Sequence, residues 1–286
     1  MRPAGGALVG PLIGLASFGF WVLLQRTRAR DLLARDNYRG ARLSLTLGLA
    51  MGTGVVVAIG VVAGWIVVDG GWRTGGVPML VGASIVLLAG FVDDIVPGRA
   101  RGLRGHLAEL GHGHVGTGLL KAVAAVLAAM LAVADAGGSG WERLAGVVLV
   151  AGCANLWNLL DVRPGRAVKA YLLAAVALVV ADPGAVLLAA SGPVLVLAWF
   201  DVRERGMIGD TGANVIGYVI GVEAYLRLPG PGVVVAAAVV VALTIVAETV
   251  TLSRVIDGVA PLRRLDRVGR IRVPGPDSRA NGDGVS

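Results

Sequence analysis

The chain has 286 residues, of which 56% are hydrophobic and only 16% charged, with a net charge of +7 and a mean hydropathy of +0.76. This composition excludes an ordinary soluble domain and predicts an all-α protein that crosses a membrane several times. The basic excess indicates topology control and a surface for anionic lipid or a phosphorylated ligand, and it disfavours nucleic acid as a partner. The single cysteine, Cys153, excludes an internal disulfide.

Nine apolar runs, separated by charged or turn-forming residues, predict nine membrane-spanning helices. The N-terminal run is too long for the apolar part of a signal peptide and lacks a cleavage motif, so it counts as the first span. In chain order the predicted spans are Pro3–Gln25, Ser44–Val68, Val77–Val96, Gly116–Asp135, Trp141–Leu160, Val168–Ala181, Gly184–Phe200, Ile208–Leu226 and Gly232–Ser253.

The distribution of basic residues predicts the orientation. If the first connecting loop is cytoplasmic, all but four of the 26 Lys and Arg residues fall on that side, and the exceptions are Arg2, Arg73, Arg143 and Arg227. This asymmetry puts the N-terminus outside and the C-terminus in the cytoplasm. Residues 1–271 then form one transmembrane domain, and residues 272–286, rich in Pro, Gly and Asp, form a disordered cytoplasmic tail.

Four carboxylates mark the cytoplasmic ends of three predicted spans. Asp93 and Asp94 end the third span in FVDDI, Asp161 ends the fifth in NLWNLLD, and Asp210 opens the eighth in MIGDTGAN. Charges at a membrane edge are costly, so their positions point to function. The adjacent pair Asp93 and Asp94 repel each other unless a cation lies between them, and Mg²⁺ binds to one or two carboxylates while taking further ligands from phosphates. The pattern predicts a Mg²⁺ site at the cytoplasmic face.

The polar residues around these acids each have two interpretations. Asn155 and Asn158 form a drifting stripe that leads to Asp161, where they either bind a polar substrate or hydrogen-bond between helices. Asp210 opens its helix either as an ion ligand or as the helix cap. The neighbouring basic residues fit either phosphate binding, and with it phosphoryl transfer, or topology control. They are Arg99, Arg101, Lys121, Arg163, Arg166 and Lys169.

The three motifs FVDDI, NLWNLLD and MIGDTGAN, in this order, resemble those of the polyprenyl-phosphate N-acetylhexosamine-1-phosphate transferase family, which includes the phospho-N-acetylmuramoyl-pentapeptide transferases. A fourth similarity is AETVTLSRVIDGVAPLRRLDRVGR, residues 247–270, which resembles the family's last long span and the loop after it. The resemblance extends over residues 80 to 270, about two-thirds of the chain.

The resemblance implies a Mg²⁺-dependent phosphoglycosyl transferase in the cell membrane. It implies transfer of a sugar-1-phosphate, of N-acetylhexosamine type, from a UDP-sugar to polyprenyl (undecaprenyl) phosphate at the cytoplasmic face, with release of UMP, in cell-envelope polymer synthesis such as that of peptidoglycan. It further implies a homodimer. Asp210 and Asp94 are then the metal ligands, and Asp93, Asp94 and Asp161 act at the reacting phosphates. The candidate substrate-binding residues are Asn155, Asn158, Lys121, Arg263 and Arg264.

Departures from the family pattern keep two alternatives open. The second motif continues as DVRPG, with Val162 and Pro164 in the positions of the first Gly and the second Asp of Asp-Gly-x-Asp-Gly, and the tenth span is absent. Arg263 and Arg264 stand where histidines are expected, either as permanent cations for a diphosphate or as ordinary membrane-flanking charge. One alternative is a non-catalytic family member. The other is a transporter or lipid flippase, which would place ionisable groups near the bilayer midplane.

Overall fold

The computed structural model describes residues 3–68, 76–96, 116–134, 137–249 and 252–270. The predicted disordered tail, together with Arg99 and Arg101, lies outside the described residues. Within these ranges the chain forms twelve helices and one two-stranded antiparallel hairpin. The helices are α1 Pro3–Gln25, α2 Ala29–Leu32, α3 Thr46–Val68, α4 Gly76–Ile95, α5 Thr117–Ala134, α6 Gly140–Leu160, α7 Arg166–Ala181, α8 Ala185–Val202, α9 Gly209–Arg227, α10 Gly230–Thr249, α11 Leu252–Gly258 and α12 Ala260–Arg267.

The hairpin lies between α2 and α3. Its strands are β1, Ala34–Asp36, and β2, Arg42–Ser44, with Ala34 opposite Ser44. The turn is held by the side chain of Asn37, whose Oδ1 accepts hydrogen bonds from the backbone N–H groups of Arg39 and Ala41, both at 2.9 Å. This local side-chain bonding competes with helix formation, and it explains why the basic loop between the first two spans contains a hairpin.

Each of the nine predicted runs is a helix, namely α1 and α3 to α10. Among the described residues, seven of these helices are long and apolar enough to cross a membrane: α1, α3, α4, α5, α6, α8 and α10. The chain therefore has the architecture of an all-α, multi-pass membrane protein. The remaining two helices do not meet these conditions. Helix α7 is too short, with 16 residues, and helix α9 is less apolar because it contains Asp210, Glu223 and Arg227.

Helix α9 is the centre of the bundle. It packs against α3, α4, α5, α6, α7 and α8, and fifteen of its 19 residues are buried. Small residues allow this close packing, as they do generally between membrane helices. A Cβ at Gly221, for example, would lie 2.8 Å from the Cα of Val150 on α6. Because other helices enclose α9, its polar side chains are kept away from lipid.

One end of the bundle, which we call the site end, collects the hairpin, the loops 161–165 and 203–208, and α11 with α12. Helices α4, α6 and α8 finish there, and α3, α5, α7 and α9 begin there, as contacts between these ends demonstrate. All the motifs identified in the sequence as candidate site elements therefore reach the same end of the bundle.

Candidate functional site

The centre of the candidate site is the ammonium group of Lys121, near the start of α5. Its Nζ donates to Asp93 Oδ2 at 2.9 Å and to Asp210 Oδ2. Oriented to satisfy both neighbours, the Asn158 amide donates to Asp210 Oδ1 at 2.6 Å and accepts from Lys121 Nζ at 3.0 Å. Four helices that are distant in sequence thus contribute one side chain each. We call these four residues the Lys121 cluster.

The Lys121 cluster remains accessible from the site end. The side chains of Asp93 and Lys121 are each 19% exposed, and that of Asp210 is 24% exposed. Ion pairs that are only partly buried can exchange partners at modest cost, whereas a fully buried pair cannot. A charged ligand could therefore reach the ammonium and both carboxylates without disrupting the bundle.

Asp94 contacts the backbone at the start of α9 rather than the side chains of the Lys121 cluster. Its Oδ1 accepts from the backbone N–H of Asp210 at 3.0 Å, and its Oδ2 accepts from the N–H of Thr211 at 2.9 Å and from the Thr211 hydroxyl. Helix α9 has no side-chain cap from its own preceding residue, so α4 supplies the cap. These bonds satisfy N-terminal donors and put a negative charge at the positive end of the helix dipole.

The alternative that Asp210 caps its own helix does not match this geometry. Asp210 lies in the first turn of α9, and its carboxylate contacts Lys121 and Asn158. With Asp94 as the cap, the Asp210 side chain is left available for a ligand. Both oxygens of Asp94 are engaged, although its predicted role as a metal ligand stays a prediction.

Two glycines allow α4 to approach the start of α9 this closely. Gly209 has a backbone φ of +52°, and a Cβ there would lie 2.9 Å from Asp94 Oδ1. A Cβ at Gly90 on α4 would lie 2.7 Å from the carbonyl oxygen of Asp210. Only glycine suits a left-handed conformation with so little space. The spacing between Asp93 and Asp210 therefore depends on backbone contact as well as on side chains.

Asp161 follows the last residue of α6 and is partly buried next to the Lys121 cluster. Burial, followed by the charges of Asp201, Asp210 and Asp94, raises the pKa of Asp161 well above its ordinary value, and the backbone N–H of Gly209 only partly offsets this increase. A carboxyl with a raised pKa is suited to proton transfer closer to neutral pH. Asp161 thus adds a protonatable group to the site.

Three predicted site residues make no side-chain contact with the Lys121 cluster in the described part of the chain. Asn155 is exposed, and its side chain makes no hydrogen bond within the described part of the chain. Arg263 donates from one terminal nitrogen to the carbonyl of Asp257 at 2.9 Å, so it closes the turn between α11 and α12. Arg264 is exposed to solvent. Their substrate-binding roles stay predictions.

Sequence reasoning missed Arg35 and Asp201. Arg35, on β1, donates to the carbonyls of Asp94 at 2.8 Å and Ile95 at 3.1 Å, and it thereby satisfies the C-terminal end of α4. Asp201, at the end of α8, is 1% exposed and accepts from the backbone N–H of Gly165 at 2.8 Å. The sequence does not distinguish Arg35 from the other basic residues of the first loop, which are explained by topology control. Asp201 could have been identified from the sequence, because it is another acid at the end of a predicted span.

The hairpin closes over one side of the site end. Its Asn37 and Arg39 side chains donate to the carboxylate of buried Glu204, in the loop before α9. The exposed ring of Tyr38 lies beside the guanidinium groups of Arg39 and Arg163, whose central carbons are 5.7 and 5.6 Å from the ring centroid. These contacts link the hairpin to the loops that follow α6 and α8.

Two of the predicted phosphate-binding cations hold the C-terminal segment instead. Arg166 binds the carboxylate of Asp266 through two nitrogens, at 2.7 and 3.3 Å, and Ser253 through a third at 2.8 Å. Arg270 binds the same carboxylate at 2.8 Å, and Lys169 donates to the carbonyl of Asp266 at 2.8 Å. Because Arg166 and Asp266 are almost fully buried, this network fixes α11 and α12 to the start of α7.

The fit to Mg²⁺ depends on how many ligands the protein must supply. Among the described residues, no group of three His, Cys, Asp or Glu side chains could hold a metal ion. Mg²⁺ typically needs one or two carboxylates and takes its other ligands from phosphates and water. Asp93 and Asp210 already converge on one cation, the Lys121 ammonium. The donor set therefore fits a Mg²⁺ ion that arrives with a phosphorylated substrate, rather than one held by protein alone.

Comparison of the chain with models of protein families finds no match, and no curated protein matches it. The functional assignment therefore rests on the motifs and contacts described above.

Proposed function

We propose that the protein is a phosphoglycosyl transferase and a divergent member of the polyprenyl-phosphate N-acetylhexosamine-1-phosphate transferase family. It transfers a sugar-1-phosphate from a UDP-sugar to polyprenyl phosphate and releases UMP, as a step in cell-envelope polymer synthesis. The observation that carries the proposal is the Lys121 ammonium between Asp93 and Asp210, with Asn158 bonded to both Lys121 and Asp210, at one end of a membrane bundle.

The chemistry of phosphoryl transfer supports this proposal. Its transition state accumulates negative charge on phosphate oxygens, so catalysis consists mainly of positioning and of cations. Lys121 binds the diphosphate of the UDP-sugar as a fixed cation beside two carboxylates. Asp210 and Asp93 would hold Mg²⁺, which when bound neutralises charge on the diphosphate oxygens. Asn158 orients Asp210, and Asp94 keeps the start of α9 in place.

In the proposed reaction, an oxygen of the lipid phosphate attacks the β-phosphorus of the UDP-sugar. The bond between that phosphorus and the oxygen bridging to the α-phosphate breaks, so UMP leaves and the sugar remains on a lipid-linked diphosphate. Of the two adjacent acids, Asp93 is the one that the lipid phosphate can reach, because it is partly exposed whereas both oxygens of Asp94 are engaged. Asp161, with its raised pKa, is adjacent to this centre.

The lipid substrate fits the surface that leads to the site. On α4, Leu88 and Val92 are 62% and 37% exposed, and they lie one turn apart in the last turns of the helix before Asp93. An acyl or prenyl chain that follows this face would bring its phosphate to the Lys121 cluster. The predicted orientation, with the N-terminus outside and all nine helices spanning, puts the cluster at the cytoplasmic face. A homodimer is part of the proposal through the family resemblance alone.

A transporter is less well supported by the position of the charges. Carriers commonly bind ions near the bilayer midplane through broken helices. In this chain the candidate carboxylates Asp93, Asp161 and Asp210 are at helix ends. The proposal therefore favours chemistry at the membrane surface over passage through the bundle.

The test is an incubation of the purified protein, in lipid nanodiscs, with undecaprenyl phosphate and a panel of UDP-sugars. UMP release is measured with Mg²⁺ and with excess chelator. We expect release with at least one UDP-N-acetylhexosamine, dependent on both lipid and Mg²⁺, and we expect Lys121→Met to abolish it. Lys169→Met is the matched control, since Lys169 is a basic residue at the same end that bonds to α12 instead. The absence of UMP with every donor, or full activity in Lys121→Met, would contradict the proposal.

A further inference from the structure

Helix α12 exposes apolar side chains along one side. Leu262 is 43% exposed and Leu265 is 38% exposed, and Val259 and Val268 just outside the helix are 44% and 60% exposed. At about 100° per residue, Leu262 and Leu265 lie about 60° apart around the helix axis. They form an apolar arc that the bundle covers only in part.

The opposite side of α12 is basic. Arg264 and Arg267 are both exposed, and in the helical projection they lie more than about 100° from Leu262. An exposed apolar arc beside an exposed basic arc is typical of a helix that lies in a membrane interface. A solvent-facing helix of a membrane protein would gain nothing from exposed leucines at this spacing.

Polar contacts fix the rotation of α12 relative to the bundle. Asp266 is buried and binds both Arg166 and Arg270, and Lys169 donates to the backbone carbonyls of Leu265 and Asp266 at 3.1 and 2.8 Å. Asp266 thus faces the bundle. Leu262 and Leu265 lie about 40° and about 100° from Asp266 around the helix axis, both on the same side of it, and Arg267 lies about 100° away on the other side. The two leucines therefore border the contact with the bundle on one flank of the helix.

The anchoring residues also fix the depth of α12. Arg166 and Lys169 are in the first turn of α7, and the preceding span α6 ends at Leu160. One and two turns further along α7, Leu173 and Val176 are 57% and 62% exposed, as expected of a lipid-facing helix surface. Helix α12 therefore lies where the outer apolar surface of the bundle ends. It begins at Ala260, after candidate span α10 has ended at Thr249 and the short helix α11 has followed.

We propose that α12 lies on the surface of the bilayer that surrounds the bundle. Leu262 and Leu265 enter the boundary between headgroups and acyl chains, and Arg264 and Arg267 bind anionic headgroups. The occupant of the arc is this lipid surface because the arc continues the lipid-facing surface of α7 and carries complementary charge. The proposal does not depend on the transferase activity.

The experiment measures the depth of spin labels in the full-length protein. A Cys153→Ala background removes the only native cysteine, which is buried. Single labels are attached at Leu262→Cys or at Arg264→Cys, and the protein is placed in nanodiscs that contain anionic lipid. Leu173→Cys provides the lipid-exposed reference. Accessibility is measured by electron paramagnetic resonance against oxygen, which concentrates in lipid, and against a water-soluble nickel chelate.

We expect the label at Leu262 to approach the oxygen accessibility of the Leu173 label, with an oxygen-to-nickel ratio at least about threefold above that of the Arg264 label. Equal ratios at Leu262 and Arg264 would overturn the proposal. A second arm compares anionic with purely zwitterionic nanodiscs. The label at Leu262 should become shallower in the zwitterionic lipid, and an unchanged depth would overturn the assignment of Arg264 and Arg267 to anionic headgroups.

Discussion

Asp93 and Asp94 are neighbours in sequence but have different partners, so matched Asn variants separate their roles. In Asp94→Asn an amide NH2 replaces one acceptor oxygen, and this group must face either the N–H of Asp210 or the donors of Thr211. An unpaired buried donor costs about 1–3 kcal/mol. Loss of the negative charge at the start of α9 costs about 0.3–2 kcal/mol more. The two ranges add to about 1–5 kcal/mol, so we expect the free energy of unfolding to fall by about 3 kcal/mol.

Asp93→Asn should behave differently, because Asp93 is partly exposed and its ion pair is with the Lys121 side chain rather than with the backbone of α9. A partly exposed ion pair contributes about 0–1 kcal/mol, so its loss should hardly change stability. Under the proposed mechanism the same variant loses one of the two carboxylates that would hold Mg²⁺ at the diphosphate. We therefore expect Asp93→Asn to remain folded but to release little or no UMP.

Both variants are compared with the unmodified protein by thermal unfolding in one detergent, followed by circular dichroism. For a chain of this length, the loss in Asp94→Asn corresponds to a decrease in Tm of about 5 °C or more, while Asp93→Asn should stay within about 2 °C. Equal Tm values for the two variants would show that Asp94 does not hold the start of α9.

Three further predictions concern stability. Arg166→Met leaves the buried Asp266 carboxylate without its main partner and should lower the free energy of unfolding by about 3–5 kcal/mol, measured by denaturant titration; a loss below about 1 kcal/mol would contradict the burial of this pair. Asp161→Asn removes a carboxyl whose pKa is raised on folding. Because the folded state binds the proton of Asp161 more tightly than the unfolded state does, the unmodified protein loses stability as the pH rises above the pKa that Asp161 has in the unfolded chain. The variant should therefore show a higher Tm at neutral pH and an equal Tm in acid, and a lower Tm at neutral pH would contradict the assignment. Gly209→Ala should lower Tm, because a Cβ at φ +52° costs about 1–2 kcal/mol and would also lie 2.9 Å from Asp94 Oδ1; an unchanged Tm would refute it.

The helices were predictable because charged residues interrupt the apolar runs. The hairpin was not predicted, since its charged sequence resembles any cytoplasmic loop. Its turn depends on Asn37 bonding to the backbone and on Gly40 at φ +75°. These residues are informative only once the strands are known to pair.

The motifs predicted which side chains reach the site end but not which way they face. Adjacent helical residues point about 100° apart, so FVDD alone cannot tell which Asp faces α9. The rotation of α4 is fixed by backbone contact at Gly90, which is a tertiary feature. Steps of three residues also drift by about 60° each. For this reason Asn158 faces Lys121 while Asn155 is exposed.

Transfer of the sugar-1-phosphate to the lipid is measured most directly by following the β-phosphate of the donor. Nanodiscs with undecaprenyl phosphate are incubated with a UDP-N-acetylhexosamine that is radiolabelled at the β-phosphate, and the lipid is then extracted. We expect the label to move into the lipid fraction together with release of UMP, and we expect both to be lost in Asp93→Asn and in Lys121→Met. Label that stays entirely in the aqueous fraction for every donor, or label that enters the lipid equally in both variants, would contradict the proposal.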